Sequence, residues 1–334
     1  MTKVVAKKKI LLLSDDLRMS SGVGTMSREF VYGTLHKYDW VQIGGAIKHP
    51  DEGKHVDISK EAGKEVGVKN AYLKVYPISG YGNPDLLRQI MDKEKPDAIL
   101  HYTDPRFWQW LYQMEHEIRQ MIPIFYYNIW DDLPYPRWNE NFYESCDLIM
   151  NISKQTHNIV QNVCQQKPRT DLDSTYIPHG INEKHFYPLS EKQLNDKKFI
   201  RYKETMLRKR EKDFILFYNA RNIKRKMVGD IILAYNKFCS LLPKEKADKC
   251  LLLMHTSPID QHGTHLPNLV KELCTHGDVA FSDQKVSPEA LNMLYNIADV
   301  TLLISSNEGF GLSTTESLMA GTPIIVNVTG GMQD

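Results

Sequence analysis

Residues 299–328, DVTLLISSNEGFGLSTTESLMAGTPIIVNV, decide the fold more than any other stretch of the chain. DVTLLIS (299–305) is an apolar run of strand length, and SNEGFG (306–311) has the composition of a turn. LSTTESLMA (312–320) predicts a short helix, and GTPIIVNV (321–328) returns to an apolar strand. This order of strand, glycine loop, helix and strand is typical of an α/β sheet.

Two glutamates, Glu308 and Glu316, stand on either side of the glycine loop. Such a loop directs backbone N–H groups and the positive end of the helix dipole towards one point, which suits a phosphate. Ser313 and Glu316 also fit a capping box, in which Glu316 would only satisfy a backbone amide. Both interpretations of Glu316 remain open here, whereas Glu308 precedes the helix and has no capping role.

The composition describes a soluble globular protein with more than one core. The chain has 334 residues, of which 42% are hydrophobic and 25% are charged, so two domains are expected. The net charge of +1 gives no overall field that favours nucleic acid or membrane. Segment 191–212, EKQLNDKKFIRYKETMLRKREK, nevertheless has nine basic and four acidic residues. We expect it to be a solvated helix or linker, with anionic lipid or nucleic acid as possible partners.

The cysteines and the apolar runs bear on the compartment. Five cysteines are scattered at positions 146, 164, 239, 250 and 274 without a CxxC pair, which is typical of a reduced compartment. The run ILLL (10–13) is too short for a secretory signal, and no run approaches the ~20 residues of a membrane helix. We therefore expect a cytoplasmic protein.

Strand-like and helix-like stretches alternate along the chain in two groups. Strands are expected in KKKILLLSD (7–15), PDAILHY (96–102) and IPIFYYNIW (122–130), and the pattern restarts at DFILFYNA (213–220). The prediction is an α/β fold with two tandem Rossmann-like domains, 1–189 and 213–334, joined by a basic linker at 190–212. Because sites in such sheets lie beyond the carboxyl ends of the strands, we expect the site in the interdomain cleft.

A basic loop follows the first strand of the second group. ARNIKRKMVG (220–229) carries Arg221, Lys224, Arg225 and Lys226 directly after DFILFYNA. Its strand end is expected to meet the same sheet edge as the Glu308 loop. Two cations opposite a helix N-terminus would hold a diphosphate and stabilise it as a leaving group.

These motifs together resemble the family 4 retaining glycosyltransferases of the GT-B fold. Glu308 and Glu316 match the family's E-x7-E pair within EGFGL…E…AGTP. ARNIKRKMVG resembles the family's GR…KG element, and IPHGINEKHFYP (177–188) resembles IPNGVD…F.P. SPEALNMLYNIADVTLLIS (287–305) fits as well, and the match is tightest from 175 to 331.

The resemblance implies a role for each matched residue. Glu308 would contact the hydroxyls of the donor sugar, and Glu316 would bind the ribose of the nucleotide. Arg221 and Lys226 would neutralise the diphosphate. Backbone amides would help to hold the donor, and MSSGVGTMS (19–27) would close over it from the first domain. The donor-binding residues beyond the charged ones are Gly309, Phe310, Gly311, Leu312, Gly22 and Gly24.

Four departures from the family pattern affect what is expected. Asn128, Trp130 and Asp131 stand where the family often has a histidine, so the acceptor chemistry is open. The usual glycine after CLLLM is replaced by HTSPIDQHGTH (255–265), and His179 replaces an asparagine. The family continues beyond the TGG turn, so we expect the second domain to be incomplete.

The resemblance implies a hexosyltransferase that uses a UDP-, GDP- or ADP-sugar, retains configuration and needs no cofactor. The acceptor is not identified by the sequence. No metal is expected, since DLD (171–173) and HGTH (262–265) are weak candidates for metal ligands. The alternatives are another GT-B enzyme, such as a nucleotide-sugar epimerase or a sugar phosphorylase, and a non-catalytic module that binds sugar or nucleotide.

Overall fold

The computed structural model describes residues 6–46, 48–165 and 173–334. The chain forms two compact units, Met1–His179 and Gly180–Asp334. The division lies before the boundary expected after residue 189, and segment 190–212 belongs to the second unit. The physical reason is burial, since Phe186 and Phe199 both lie in a core cluster of the second unit.

The first unit is built on an eight-stranded sheet. Its strands are β1 (Lys8–Asp15), β2 (Tyr38–Gly45), β3 (Val56–Asp57), β4 (Leu73–Pro77), β5 (Ala98–Tyr102), β6 (Ile124–Asn128), β7 (Leu148–Asn151) and β8 (Ser174–Tyr176). They lie in the order β3-β4-β2-β1-β5-β6-β7-β8. Neighbouring strands are parallel except for the short β3, which is antiparallel to β4.

Helices connect these strands. They are α1 (Gly22–Thr34), α2 (Ser59–Val66), α3 (Pro84–Glu94), α4 (Gln109–Gln113), α5 (Glu115–Arg119), α6 (Glu140–Glu144) and α7 (Lys154–Val163). Ser21, Asn83 and Ser153 are side-chain N-caps that accept a hydrogen bond from the first turn of α1, α3 and α7. In β1, the consecutive residues Leu11, Leu12 and Leu13 are fully buried, so both faces of the sheet are covered.

The second unit has a five-stranded, wholly parallel sheet. Its strands are β9 (Phe214–Asn219), β10 (Cys250–His255), β11 (Asp278–Ser282), β12 (Val300–Leu303) and β13 (Ile324–Val326), in the order β11-β10-β9-β12-β13. Its helices are α8 (Glu191–Leu194), α9 (Lys197–Met206), α10 (Val228–Ser240), α11 (Lys244–Ala247), α12 (Leu266–Leu273), α13 (Pro288–Ile297) and α14 (Leu312–Met319). The predicted α/β fold is confirmed, and the opening stretch forms β12, a loop, α14 and β13.

The basic segment folds as two short helices on the second unit. Ser190 and Asp196 cap α8 and α9, and Phe199 on α9 is buried. Further along, Arg210 and Lys212 both pair with Asp278, at 2.9 and 2.5 Å. None of the helices in the part of the chain that the structure describes is long and apolar enough to cross a bilayer.

Candidate active site

The strand order of the second sheet reverses between β9 and β12, which makes this point a topological switch point. β9 is hydrogen-bonded to β10 on one side and to β12 on the other. The sheet continues from β10 to β11 on the first side and from β12 to β13 on the second. The loops after β9 and β12 meet there, because the Ser306 amide donates to the Arg225 carbonyl at 2.9 Å. Open α/β sheets bind ligands at such a switch point.

An ion-pair cluster joins the side chains of these two loops. Lys226 Nζ pairs with Glu308 Oε1, and Arg225 Nη1 lies 3.5 Å from Glu308 Oε2. Arg225 Nη1 also donates to the Asn307 carbonyl at 2.8 Å. Glu308 is only 6% exposed, so these contacts offset much of the cost of removing its charge from water. The structure thus brings the predicted residues Glu308 and Lys226 together, and it adds Arg225.

Two glycines near the end of the chain hold the backbone of the Glu308 loop. A Cβ on Gly330 would lie 1.5 Å from the Glu308 carbonyl oxygen, and Gly330 has a φ of +51°. The Gly331 amide donates to the carbonyls of Glu308 and Gly309 at 3.3 and 3.1 Å. The sequence indicates only a turn at these glycines, yet a glycine pair that begins four residues after the end of β13 is a usable signal of close backbone approach.

The start of α14 differs from the capping-box interpretation. The N-cap is Gly311, with a φ of +87°, and no side chain caps the helix within the described residues. Ser313 lies inside the helix, so it cannot form the expected box with Glu316. Gly309 and Phe310 occupy the preceding turn, and Leu312 is the first helical residue. The capping-box alternative is therefore wrong, and the Thr314 and Thr315 amides donate instead to the Gly311 carbonyl, at 3.1 and 3.2 Å.

Glu316 is held by a side chain from another helix. The Tyr295 hydroxyl on α13 donates to Glu316 Oε2 at 2.7 Å. Asn219, the last residue of β9, donates through Nδ2 to the same hydroxyl at 2.8 Å. Burial raises the pKa of Glu316 to about 7, and the hydrogen bond from Tyr295 opposes that rise. The sequence alone does not indicate Tyr295 as a site residue, because an apolar helix face predicts only a core position.

Arg221 is placed differently from Lys226. Its side chain is 61% exposed and pairs with Asp260, whose carboxylate lies 3.0 Å from Arg221 Nε. Asp260 lies in the segment that replaces the family's glycine, and Asn222 braces that segment. Asn222 Nδ2 donates to the Thr264 carbonyl at 2.6 Å, and the Thr264 amide donates to Asn222 Oδ1 at 3.1 Å. Both predicted cations are thus engaged in ion pairs.

The glycines predicted in the first unit lie at the start of a helix. Gly22 and Gly24 belong to the first turn of α1, so MSSGVGTMS is partly helical rather than an open loop. Gly24 is buried, and a Cβ on it would lie 2.7 Å from the Met19 carbonyl oxygen. This close packing explains why a glycine stands at position 24 without any contact to a donor. Donor contact by Gly22 and Gly24 stays a prediction.

The departures in the first unit also have structural partners. His179 lies within hydrogen-bonding distance of the hydroxyls of Tyr127 and Tyr102, at 2.8 and 3.2 Å. Burial lowers its pKa to about 4, so the ring is neutral at pH 7. Asn128 is fully buried and donates to Asn151 Oδ1 at 3.1 Å. The Asn128 side chain therefore forms part of the buried core and does not face solvent.

Neither candidate metal motif contributes to a cluster of metal ligands among the residues that the structure describes. Asp171 and Leu172 of DLD lie outside the described residues. Within 6–46, 48–165 and 173–334, no group of three or more His, Cys, Asp or Glu side chains could hold a metal ion.

The sequence of this chain is similar to a known protein family and to several curated proteins. A sequence model of the family "Glycosyl transferases group 1" matches residues 202–334. The chain is 28% identical over 195 residues to N-acetyl-alpha-D-glucosaminyl L-malate synthase of Bacillus anthracis, covering 57% of this chain and 44% of that protein. It is 30% identical over 161 residues to alpha-monoglucosyldiacylglycerol synthase of Acholeplasma laidlawii, covering 47% and 36%. The chain thus spans less than half the length of these curated relatives.

Solved structures share the fold over almost the whole chain. Anabaena HepE, solved in complex with UDP and glucose, is 14% identical with a TM-score of 0.68, covering 98% of this chain and 82% of that one. Sucrose-phosphate synthase of Thermosynechococcus elongatus is 16% identical with a TM-score of 0.67, covering 98% and 83%. The expected GT-B fold of two Rossmann-like units is confirmed, while the cleft between the units stays a prediction. Glu308, Glu316, Arg221 and Lys226 all lie within residues 202–334, the part of the chain that matches the model of the glycosyl transferases group 1 family.

Proposed function

We propose that this chain is a glycosyltransferase that moves a hexosyl group from a nucleotide diphosphate-sugar to an acceptor, with retention of configuration. The observation that carries the proposal is the convergence of Glu308, Lys226 and Arg225 at the ends of β9 and β12. The family match over the same residues supports it. The sugar-transferring activities of the curated relatives named above are consistent with this proposal, although the chain spans less than half the length of those proteins.

The cations of the cluster would receive the diphosphate of the donor. Without a donor, Glu308 pairs with both Lys226 and Arg225, so a single carboxylate faces two cations and their charge is only partly compensated. A diphosphate brings more negative charge than one carboxylate, so it would compete for Lys226 and draw in the exposed Arg221. Each charged hydrogen bond contributes about 1.5–3 kcal/mol. The amides at the start of α14 add the positive end of the helix dipole.

Glu308 would then be released to the sugar, where its carboxylate accepts hydrogen bonds from hydroxyls. In the reaction the acceptor oxygen forms a bond to the anomeric carbon, and the bond from that carbon to the phosphate oxygen breaks. The acceptor's proton passes to the departing phosphate on the same face, which balances the charges and retains configuration. A carboxylate beside the sugar stabilises the positive charge that develops on its ring.

The proposal also concerns which nucleotide the donor carries and which molecule accepts the sugar. Structural neighbours of this chain have been solved with UDP, UDP-glucose and UDP-2-fluoro glucose. UDP-glucose is therefore the first donor to test, followed by GDP- and ADP-sugars. The relatives act on different acceptors, so a panel of lipid, polysaccharide, protein and small-molecule acceptors is needed.

Peripheral contact with an anionic surface and a cytoplasmic location are also part of the proposal. Within the described residues, several cations of 191–212 have no acidic partner, namely Lys192, Lys197, Arg201, Lys203, Arg208 and Lys209. Such a group favours anionic lipid or nucleic acid. Co-sedimentation with phosphatidylserine vesicles and retardation of RNA in gels test the two. All five cysteines are free thiols, which supports a reducing compartment.

The test of the proposed function is transfer itself. The chain is incubated with UDP-glucose, GDP-mannose or ADP-glucose and the acceptor panel, and products are followed by mass spectrometry and by NMR of the new anomeric centre. We expect a product with the donor's anomeric configuration, formed equally well with excess EDTA. An inverted product would refute retention. Activity lost in EDTA and restored by Mn²⁺ would refute metal independence, and phosphate-dependent release of sugar phosphate would favour a phosphorylase.

A further inference from the structure

Three polar side chains form a continuous hydrogen-bonded chain in the second unit. Asn219 comes from the end of β9, Tyr295 from the last turn of α13, and Glu316 from α14. Asn219 Nδ2 donates to the Tyr295 hydroxyl at 2.8 Å, and that hydroxyl donates to Glu316 Oε2 at 2.7 Å. Each bond has the length of a well-formed hydrogen bond, and the second ends on a carboxyl group.

The central member, Tyr295, has little freedom to move. It is fully buried, and its ring packs edge-on against Phe217 with centroids 5.2 Å apart. Phe186 makes a second edge contact at 6.0 Å. Its backbone carbonyl accepts a hydrogen bond from Thr322 Oγ1 at 2.7 Å. A buried hydroxyl in such a setting keeps its partners, because a broken bond would not be replaced by water.

The hydrogen bond from Tyr295 leaves part of the Glu316 carboxyl available. Within the described residues, Glu316 Oε1 has no hydrogen-bond partner, whereas Oε2 receives the Tyr295 hydroxyl. We propose that Tyr295, oriented by Asn219, is a positioning residue that fixes the Glu316 carboxylate for the two hydroxyls of the donor's ribose. This inference rests on the proposed function, because it assigns Glu316 to the nucleotide.

The arrangement also couples nucleotide binding to pH. Burial raises the pKa of Glu316 to about 7, and the Tyr295 hydrogen bond holds it below the value that burial alone would give. A carboxylate accepts from both ribose hydroxyls, whereas a protonated carboxyl must donate one bond. Tyr295 and Asn219 are the polar groups recorded around Glu316 in the described part of the chain, and no charged side chain is recorded there. Affinity should therefore rise with pH through about 7.

The experiment compares Tyr295→Phe with a matched control, Tyr202→Phe. Tyr202 packs against the same core cluster as Tyr295, but its buried hydroxyl has no hydrogen-bond partner among the described residues. UDP, GDP and ADP are first titrated into the wild type by calorimetry. The tightest of them is then used with its 2′-deoxy analogue at pH 8. The corresponding nucleotide sugar, whose phosphates do not titrate near neutral pH, is used for profiles from pH 5.5 to 8.5.

We expect Tyr295→Phe to weaken the ribonucleotide about tenfold and the 2′-deoxy analogue much less, since one charge-assisted bond orients the carboxylate. The pH midpoint of binding should rise by about one unit, as expected when a bond that favours the charged form is lost. Tyr202→Phe should change neither property. Asn219→Ala should act in the same direction as Tyr295→Phe, and it replaces that variant if the latter does not fold.

The outcomes separate this inference from the function on which it rests. If the wild type binds a nucleotide and Glu316→Gln weakens it, but Tyr295→Phe and Asn219→Ala match Tyr202→Phe, the positioning role is refuted alone. Equal losses for the ribonucleotide and its deoxy analogue would also overturn it, because a merely structural role does not change ribose preference. If none of the three nucleotides binds the wild type, the proposed function fails, and this inference fails with it.

Discussion

Replacing Glu316 by glutamine should stabilise the protein above neutral pH. Burial raises the pKa of Glu316 from 4.5 to about 7, so the folded chain holds this proton more tightly than the unfolded chain does. Between these two values the native state binds more protons, and the free energy of unfolding therefore falls as pH rises. The cost of the buried charge is fully present above about pH 7. At 1.36 kcal/mol for each unit, a rise of about 2.5 units corresponds to about 3 kcal/mol.

Glutamine removes the charge but still offers an oxygen to the Tyr295 hydroxyl, so the packing of α13 on α14 should persist. We expect Glu316→Gln to be more stable than the wild type by about 2–3 kcal/mol at pH 8 and nearly equal to it at pH 5.

Urea unfolding of both proteins at pH 5, 6, 7 and 8 measures this difference. The transition should be followed by circular dichroism, because all five tryptophans lie in the first unit and their fluorescence would not report on Glu316. The capping-box interpretation predicts the opposite sign, a loss of about 0.5–2 kcal/mol at every pH. A variant that is less stable than the wild type at pH 8, or a difference that does not change with pH, would refute our account of Glu316.

The remaining predictions concern the other loops of the site. Lys226→Ala should weaken binding of the nucleoside diphosphate by about 1.5–3 kcal/mol, and Arg221→Ala by less, because Lys226 is 12% exposed and Arg221 is 61% exposed; calorimetry that ranks them the other way would contradict this order. Glu308→Gln should reduce turnover strongly without weakening the bare diphosphate, since that ligand has no sugar and the variant has no carboxylate that competes for Lys226; a loss of diphosphate affinity as large as that in Lys226→Ala would show that Glu308 acts elsewhere. Gly330→Ala should destabilise the fold and reduce nucleotide binding, because its Cβ would lie 1.5 Å from the Glu308 carbonyl oxygen. Gly53→Ala is its control, since Gly53 also has a positive φ but open space around it, and it should cost only about 1 kcal/mol.

Local pattern was sufficient for most of the fold. The apolar runs at 7–15, 96–102 and 213–220 became β1, β5 and β9, because strands covered on both faces must be apolar throughout. The two-residue β3 was missed, since so short an edge strand carries no periodic signal. The division between the units follows His179 rather than residue 189. Local composition did not indicate this position, because the burial of Phe186 and Phe199 depends on tertiary contacts.

The site divides in the same way. Glu308 and Lys226 could be predicted because each follows a strand and their strands are neighbours in the sheet. Asp260 could not, since its pairing with Arg221 joins residues 39 positions apart through a loop without a regular pattern. Tyr295 could not either, because only the packing of α13 beside α14 directs its hydroxyl to Glu316.

Binding of a nucleotide sugar tests the central claim most directly. UDP-glucose, GDP-mannose and ADP-glucose are titrated by calorimetry into the wild type and into Lys226→Ala, both first checked for folding by circular dichroism. The account predicts saturable binding of at least one of them to the wild type with one site per chain, weakened at least about tenfold in Lys226→Ala. No binding of any of the three to the folded wild type, or equal binding to both proteins, would contradict it.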